Sequence, residues 1–224
     1  MNLSIIIPTL NEQNALEKTL KRLSASSSEI IVVDGGSSDH TPEIARHHTP
    51  HVLTCSPGRG VQQDTGARHA HGDTLMFLHA DTILPLGFQH MLKDALFDPR
   101  VIYGAFHLSI HPFTPGLRLI AFVANLRTRL LKIPYGDQAL FMRKRDYFHV
   151  GGFHNLPIME DVDLVRRLNR VGRFHLAPGR VITSARRWEK EGIVYTTIRN
   201  WLLMIRYLLG VSPHKLLRHY PDAR

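Results

Sequence analysis

Two residues near the middle of the chain have the spacing of a metal site. In "HADT", Asp81 offers a hard carboxylate oxygen for Mg²⁺ or Mn²⁺, and His79 offers a nitrogen ligand or a hydrogen-bond partner. Both side chains point to the same side if the extended geometry of the preceding strand continues through Ala80. The alternative interpretation is that the pair is only the polar end of a buried strand.

A second group of carboxylates is suited to proton transfer. "PIMEDVDL" places Glu160, Asp161 and Asp163 in the first turn of a helix. Negative charge stabilises a helix N-terminus, and this alone explains the residues. Two neighbouring carboxylates also shift each other's pKa, which suits one of them to act as a general base.

Two further segments are suited to nucleotide and phosphate binding. "DGGSSDHTP" begins with Asp34 at a strand end, and its glycines permit the close backbone approach that a nucleotide requires. A tight glycine turn is the alternative, and the absence of G-x-G-x-x-G argues against a dinucleotide site of the Rossmann type. In "SARRWEKEG", Arg186, Arg187 and Trp188 suit a diphosphate and a stacked sugar, or else a surface cation-π contact.

The elements that must position these residues alternate between strands and helices. Short apolar runs at residues 3–7, 30–33, 51–54 and 74–79 predict strands, and helical spacing predicts a helix after each of the first three. We expect a Thr9-x-x-Glu12 capping box at the first helix and a Thr41 cap, followed by Pro42, at the second. Residues 1–100 are therefore predicted to form a doubly wound α/β unit with a mostly parallel sheet and helices on both faces.

Polar residues follow each of the four predicted strands. Because the carboxyl ends of parallel strands meet at one edge of a sheet, we expect these residues to lie together there. They are Asn11 and Glu12, Asp34 and Gly35, Arg59 and Gly60, and Asp81.

The second half of the chain is less regular. We predict a strand at 101–110, a helix at 115–131, a loop that becomes a strand at 136–143, and a helix that ends near Gly172. Repeats, low-complexity tracts and linkers are absent from the sequence, which favours one domain over residues 1–224. Within it we distinguish a first half (1–100), a second half (101–190) and a C-terminal helical segment (191–224).

Composition limits the partners and the compartment. The net charge of +9 favours anionic partners, but no recognised motif supports binding to nucleic acid. A single cysteine, Cys55, excludes an intrachain disulfide, and the apolar run at 3–7 is too short for a signal peptide, so we expect a cytoplasmic protein.

The late apolar stretch "NWLLMIRYLLGV" is interrupted by Arg206 and is too short to span a bilayer. Trp201 and Tyr207 among leucines, with Arg199, Lys215 and Arg218 nearby, suggest peripheral contact with the inner membrane face. A core-packing terminal helix is the alternative.

Taken in order, "SIIIPTLNE", "VVDGGSSDHT", "GRGVQQDTGA", "FLHADT", "GDQALF", "MEDVDL" and "RRW" resemble the motifs of inverting family 2 glycosyltransferases with the GT-A fold. The short chain, the "HADT" form and the "ARRWEKEG" ending are similar to a bacterial subgroup labelled as arsenosugar-biosynthesis-type or radical-SAM/selenodomain-associated transferases.

The resemblance implies a nucleoside diphosphate sugar donor, above all a UDP-sugar, and leaves the acceptor unidentified. It implies that Asp34 holds the base or ribose, that Asp81 binds Mn²⁺ or Mg²⁺ on the diphosphate with His79 beside it, and that Asp161, next to Glu160, is the base. The other nucleotide-binding residues that it implies are Pro8, Thr9, Asn11, Glu12, Gly35, Ser37, Arg59 and Gln63, and the acceptor and diphosphate residues are Gly136, Asp137, Gln138, Arg187 and Trp188.

Two positions depart from the family pattern. His79 stands where the first Asp of the D-x-D motif is found, and Ser184 replaces the Gln of the Q-x-x-R-W pattern of processive enzymes. The second departure favours transfer of a single sugar over polymer synthesis.

Two other functions compete with sugar transfer. A nucleotidyltransferase would be expected to show a Gly-rich, lysine-containing phosphate loop near residue 10, and "TLNEQNA" has neither feature. A catalytically silent nucleotide-sugar-binding or membrane-docking module is the third hypothesis, and retention of Asp161 beside Glu160 argues against it.

Overall fold

A computed structural model of the chain describes residues 1–220, whose strands form one seven-stranded sheet. The spatial order is β3-β2-β1-β4-β6-β5-β7, and only β6 runs antiparallel to its neighbours, β4 and β5. This confirms the predicted mostly parallel α/β sheet. The strands are β1 (Leu3–Thr9), β2 (Glu29–Asp34), β3 (His51–Thr54), β4 (Thr74–Phe77), β5 (Val101–His111), β6 (Leu140–Arg143) and β7 (Arg173–Ser184).

The helices occupy the connections between strands and the end of the chain. A 3₁₀ turn at Gly136–Gln138, called the 136–138 turn below, precedes β6. The helices are α1 (Gln13–Leu23), α2 (Thr41–His48), α3 (Arg59–His69), α4 (Phe88–Ala95), α5 (Pro115–Leu131), α6 (Lys144–His149), α7 (Glu160–Val171), α8 (Arg186–Glu191), α9 (Ile193–Leu208) and α10 (Pro213–Leu217).

Apolar side chains are buried on both faces of the sheet. Alternate residues of β1 point to opposite faces, so Ile5 packs in the core layer that contains Leu16 of α1, and Ile6 packs in the layer that contains Val162 of α7. The continuous apolar runs of β1 and β4 follow from this double burial.

Both predicted helix caps are wrong. Helix α1 begins at Gln13 without a side-chain cap, because Thr9 is the last residue of β1 and the Glu12 carboxylate binds Arg186 instead. Helix α2 begins at Thr41 itself, whose backbone N–H donates to the Asp39 carboxylate.

The C-terminal helices pack partly against the core. The structure corrects the sequence analysis at Arg199 and Tyr207, which are buried rather than exposed beside Trp201. Arg199 pairs with Glu191 at 2.5 Å, because a buried guanidinium requires a compensating charge. In residues 1–220, no helix is long and apolar enough to cross a membrane.

Candidate functional site

Asp34 organises the loop that follows β2. Its Oδ2 atom accepts hydrogen bonds from the backbone N–H groups of Gly36 (2.9 Å) and Ser37 (2.8 Å), and its Oδ1 accepts from the Ser37 hydroxyl at 2.5 Å. The Thr9 hydroxyl donates to the same carboxylate at 3.3 Å. Asp34 therefore holds the ends of β1 and β2 in one arrangement.

The loops after β1 and β2 are joined through Asn11. Asn11 has a φ of 54°, a conformation that asparagine tolerates better than most residues. Its backbone N–H donates to the Ser37 hydroxyl at 2.8 Å, and its Oδ1 accepts from the backbone N–H of Ser38 at 2.9 Å. The two loops thus form one polar edge, as expected for parallel strands.

Gln62, which was not among the predicted site residues, supports this edge from α3. Its Nε2 donates to the backbone carbonyls of Thr9 (2.7 Å) and Val33 (2.8 Å), and a Cβ at Gly35 would lie 3.1 Å from Nε2. Gln63, which was predicted to bind the nucleotide, is buried, and its Oε1 lacks a hydrogen-bond partner. The motif "GRGVQQDTGA" does not show which of two adjacent glutamines points to the sheet. Pro8 is likewise buried, within β1.

His79 lies beyond the end of β4, where the chain turns. The expectation that extended geometry continues through Ala80 is wrong, because β4 ends at Phe77 and the Thr82 N–H closes a turn onto the His79 carbonyl. Burial, together with the charges of Arg59 and Arg187, lowers the pKa of His79 to about 3. The imidazole is therefore neutral at physiological pH and can ligate a metal or accept a hydrogen bond.

Asp81 shares an arginine with Glu12. Arg186 makes two hydrogen bonds to the Glu12 carboxylate, at 2.9 and 2.7 Å, and its Nη2 lies 3.9 Å from Asp81 Oδ2. The Thr183 hydroxyl donates to Asp81 Oδ1 at 3.4 Å. The start of α8 is thus held against the loops after β1 and β4, a role that the sequence analysis did not assign to Arg186.

The 136–138 turn connects this edge to the start of α7. A Cβ at Gly136 would lie 2.9 Å from His79 Nε2 and 3.6 Å from Asp161 Oδ2, so glycine permits both side chains to approach. The Gly136 N–H donates to Asp161 Oδ2 at 2.7 Å, and the Val162 N–H donates to Asp161 Oδ1 at 2.7 Å. The fold therefore brings the "HADT" and "MEDVDL" motifs to one place.

Two members of the turn have different surroundings. Asp137 Oδ1 is buried without a hydrogen-bond partner, and burial together with the Asp161 and Asp81 charges raises the pKa of Asp137 to about 6. Gln138, in contrast, was expected to contact acceptor or diphosphate, but its side chain is fully buried and bonded to Thr128 (2.8 Å) and the Phe106 carbonyl (2.9 Å). Gln138 therefore supports the turn from inside.

Asp81 and Asp137 provide carboxylate oxygens of the kind that Mg²⁺ and Mn²⁺ prefer. Within residues 1–220, no group of three or more His, Cys, Asp or Glu side chains is placed to hold a metal. The carboxylate of Asp81 is partly exposed, and the unpartnered Asp137 oxygen lies in the same electrostatic environment. Mg²⁺ bound to a nucleotide needs only one or two protein carboxylates, and this set provides them.

Arg187 and Trp188 lie on α8 beside this edge. Burial and the charges of Arg59 and Arg199 lower the pKa of Arg187 to about 10, so it stays cationic at neutral pH, and its guanidinium lies 5.0 Å from the Tyr220 ring centre. Trp188 packs on the core, and its Nε1 atom is buried without a hydrogen-bond partner. The burial of this N–H group without a partner costs free energy.

Glu160 is buried beside Asp161, and its Oε1 lies 3.8 Å from Arg59 Nη1. Burial and the Asp161 charge raise the pKa of Glu160 to about 7, against the opposing effect of Arg59. The folded protein therefore binds this proton more tightly than the unfolded chain. The Glu160 contribution to the free energy of unfolding is expected to fall as the pH rises from about 4.5 to about 7.

Denaturant unfolding of wild type and Glu160→Gln at pH 5 and pH 8 tests this expectation. The stability difference between the two proteins should move in favour of Glu160→Gln at pH 8, because the amide stays neutral. His79, whose pKa is lowered, contributes the opposite pH dependence in both proteins, so only their difference is informative. An equal loss of stability in both proteins would contradict the assignment.

The chain is similar to known proteins in both sequence and fold. Residues 4–152, more than half of the chain, match the family model described as Glycosyl transferase family 2. A 4,4'-diaponeurosporenoate glycosyltransferase from Staphylococcus haemolyticus is 35% identical over 102 residues, which cover 41% of this chain and 27% of that protein.

An undecaprenyl-phosphate 4-deoxy-4-formamido-L-arabinose transferase from Edwardsiella ictaluri is 34% identical over 92 residues, 35% of this chain and 28% of that protein. The chain thus matches less than a third of the length of either relative. A solved mannosyltransferase from Pyrobaculum calidifontis, in complex with GDP-Man and Mn²⁺, superposes with a TM-score of 0.71 at 18% identity, covering 99% of this chain and 69% of that one. At this level of identity, the similarity shows that the two chains share a fold.

Proposed function

Because the chain belongs to glycosyl transferase family 2, we propose that it is an inverting enzyme that moves one sugar from a nucleoside diphosphate sugar to an acceptor hydroxyl. The observation that carries this proposal is the position of Gly136, which lies against both His79 and Asp161. An inverting displacement needs a base on one face of the anomeric carbon and a stabilised diphosphate leaving on the other. Asp161 and the "HADT" motif, which the fold brings together at Gly136, can divide these two tasks.

In this proposal the donor nucleotide lies along the edge formed after β1 and β2, within the half at residues 1–100. Asp34 contacts the base or ribose, and the loops of Asn11 and Ser37 shape the pocket. The hydrogen bonds that join these loops support the assignment, because they hold the pocket in shape before the donor arrives. We propose a uridine base, although the Pyrobaculum structure contains a guanosine donor.

The diphosphate is proposed to lie between Asp81 and the arginines of α8. A divalent cation, Mn²⁺ or Mg²⁺, would be held by Asp81 with His79 beside it and would offset the negative charge of the departing diphosphate. The Mn²⁺ in the Pyrobaculum structure supports this cofactor. Arg186 and Arg187 supply positive charge at the same edge, and Arg186 can exchange its Glu12 partner for phosphate oxygens.

Asp161 is proposed to accept the proton of the acceptor hydroxyl. Its two oxygens each accept one backbone N–H bond and keep further lone pairs for the incoming hydroxyl. The oxygen that loses this proton forms the new bond to the anomeric carbon, while the bond from that carbon to the diphosphate breaks on the opposite face. Glu160 lies beside the base, and Asp137 lies in the turn that faces it.

We further propose that the enzyme transfers a single sugar and belongs to the short bacterial subgroup named above. We also propose that the chain forms a single domain whose second half binds the acceptor. Ser184 at the end of β7, in place of the glutamine of processive enzymes, supports single transfer. We also place the protein in the cytoplasm, with the C-terminal helix α9 in contact with the inner membrane face. The undecaprenyl phosphate in the name of the Edwardsiella relative accords with an acceptor at a membrane.

Product analysis tests the proposed reaction. The protein is incubated with Mn²⁺, a panel of UDP- and GDP-sugars and a membrane-containing cell extract, and products are identified by mass spectrometry. We expect one nucleoside diphosphate and a product heavier by one sugar residue. Release of a sugar 1-phosphate would instead indicate transfer of the nucleotidyl group, and donor binding without any product would indicate a silent binding module.

The unpaired Nε1 of Trp188 leads to a prediction about the acceptor. Trp188→Phe keeps much of the ring packing and removes the N–H donor, so we expect the acceptor KM to rise by about tenfold, the equivalent of one hydrogen bond, with little change in the donor KM. Steady-state kinetics with each substrate varied in turn measures both constants. Trp188→Ala is the comparison for lost packing, and equal effects of Trp188→Phe on both constants would indicate a structural tryptophan.

A further inference from the structure

Helices α5 and α9 each expose a row of apolar side chains. On α5 the row is Leu119, Phe122 and Leu126, and on α9 it is Ile198, Trp201 and Ile205. In both helices the intervals are three and then four residues, so each row lies on one side of its helix. We call these six residues the α5–α9 face.

The two rows belong to neighbouring helices. Helices α5 and α9 contact each other, and a Cβ at Gly116 of α5 would lie 3.6 Å from Ile193 Cδ1 of α9. The opposite sides of both helices are packed inward, since Thr128 bonds to Gln138 of the 136–138 turn and Leu203 is buried in the core. The α5–α9 face is therefore the outer side of elements that support the candidate acceptor site.

The charged side chains of α5, α9 and α10 have one sign. Helices α5, α9 and α10 contain no Asp or Glu. Each Lys or Arg near an anionic membrane surface strengthens binding to it, so several such residues give a substantial attraction. The exposed cations on or next to these helices are Arg118, Arg129, Lys132, Arg206, Lys215 and Arg218.

We propose that the α5–α9 face docks on a bilayer surface that contains anionic phospholipid. Apolar side chains at helical spacing with cations around them are typical of helices that lie in the membrane interface, and Trp201 suits that depth. This inference rests on the membrane contact proposed above for α9, and it adds α5 as the second half of the surface and anionic headgroups as the ligand.

A second copy of this chain is a poorer occupant of the same surface. A two-fold symmetric contact places the same patch of each subunit against the other. The cations around the α5–α9 face would then oppose one another, with no acidic residue of α5, α9 or α10 to compensate. Phospholipid headgroups supply the missing negative charge.

Vesicle sedimentation tests the proposal with the full chain. Vesicles of phosphatidylcholine alone are compared with vesicles that contain about one quarter phosphatidylglycerol, at low and high salt. We expect at least ~10-fold tighter binding to the anionic vesicles, weakened by salt. The substitutions Phe122→Glu and Trp201→Glu, made singly, should each lower that binding by ~10-fold or more.

Matched controls come from exposed apolar residues elsewhere on the surface. Leu86 is 91% exposed and Phe97 is 87% exposed, and we expect Leu86→Glu and Phe97→Glu to bind vesicles like the wild type. Thermal unfolding and nucleoside diphosphate affinity are measured for every variant. Retention of both in Phe122→Glu and Trp201→Glu would show that loss of vesicle binding does not come from misfolding.

Three results would overturn the proposal: no preference for phosphatidylglycerol, wild-type vesicle binding by both Glu variants of the face, or a solution dimer that these variants dissociate. Its failure is distinguishable from failure of the proposed function. Sugar transfer to an acceptor without vesicle binding would reject the docking surface alone. Vesicle binding by a protein that forms no glycosylated product would reject the transfer chemistry alone.

Discussion

Asp161→Asn is expected to lower turnover by about 100-fold or more while donor affinity stays close to that of the wild type. The amide has nearly the shape of the carboxylate but does not accept the acceptor's proton. Asp161 lies at the start of α7, against Gly136, whereas the residues proposed to bind the nucleotide lie after β1 and β2. Chemistry should therefore be lost with little effect on donor binding, measured by steady-state kinetics and by calorimetry with the nucleoside diphosphate.

Two variants separate proton transfer from structural effects. Asp163→Asn changes another carboxylate of the same helical turn, one that bonds to Arg167 at 2.7 Å and so is engaged in holding α7. We expect it to lower thermal stability more than turnover. Asp137→Asn tests a nearby carboxylate that is not assigned as the base but whose raised pKa also suits proton transfer. If Asp161→Asn kept near wild-type turnover while Asp137→Asn lost it, the base would be Asp137.

Asp81→Asn is expected to remove the part of nucleoside diphosphate affinity that depends on Mn²⁺, at least a tenfold effect. A hard divalent ion that bridges two phosphates prefers carboxylate oxygen and keeps several water ligands. One protein carboxylate can therefore provide most of the protein's contribution to its binding. Asp81 is partly exposed at the polar edge and is attracted only weakly by Arg186, at 3.9 Å, so its carboxylate is accessible to a cation. Calorimetric titration with and without Mn²⁺ measures the difference.

His79 provides the matched comparison. Because its pKa is lowered to about 3, the imidazole is neutral and can ligate Mn²⁺ or contact a metal-bound water. We expect His79→Asp, which recreates the common D-x-D, to retain Mn²⁺-dependent binding, and His79→Ala to weaken it without abolishing it. The assignment is falsified if Asp81→Asn keeps full Mn²⁺-dependent binding while His79→Ala loses it.

The alternation of strands and helices could be predicted because it is a local property of the chain. Runs such as "LSIII" and "TLMF" are apolar at successive positions, and this pattern identifies a strand buried on both faces wherever it lies in the fold. The rule that parallel strands present their carboxyl ends at one edge then predicted that Asn11, Asp34 and Asp81 would lie along the same edge of the sheet. Those predictions required only the order of the elements.

Side-chain direction and long-range pairing were decided by the tertiary structure. Arg186 binds Glu12 across 174 positions of sequence, and that contact exists only because β7 and α8 return to the edge formed by β1. Gln138 points inward because α5 presents Thr128 to it, and Gln62 rather than Gln63 bonds to the strands because of the rotation of α3. A local pattern specifies which element forms but not the rotation or neighbour that packing imposes on it, so these contacts could not be predicted from the sequence alone.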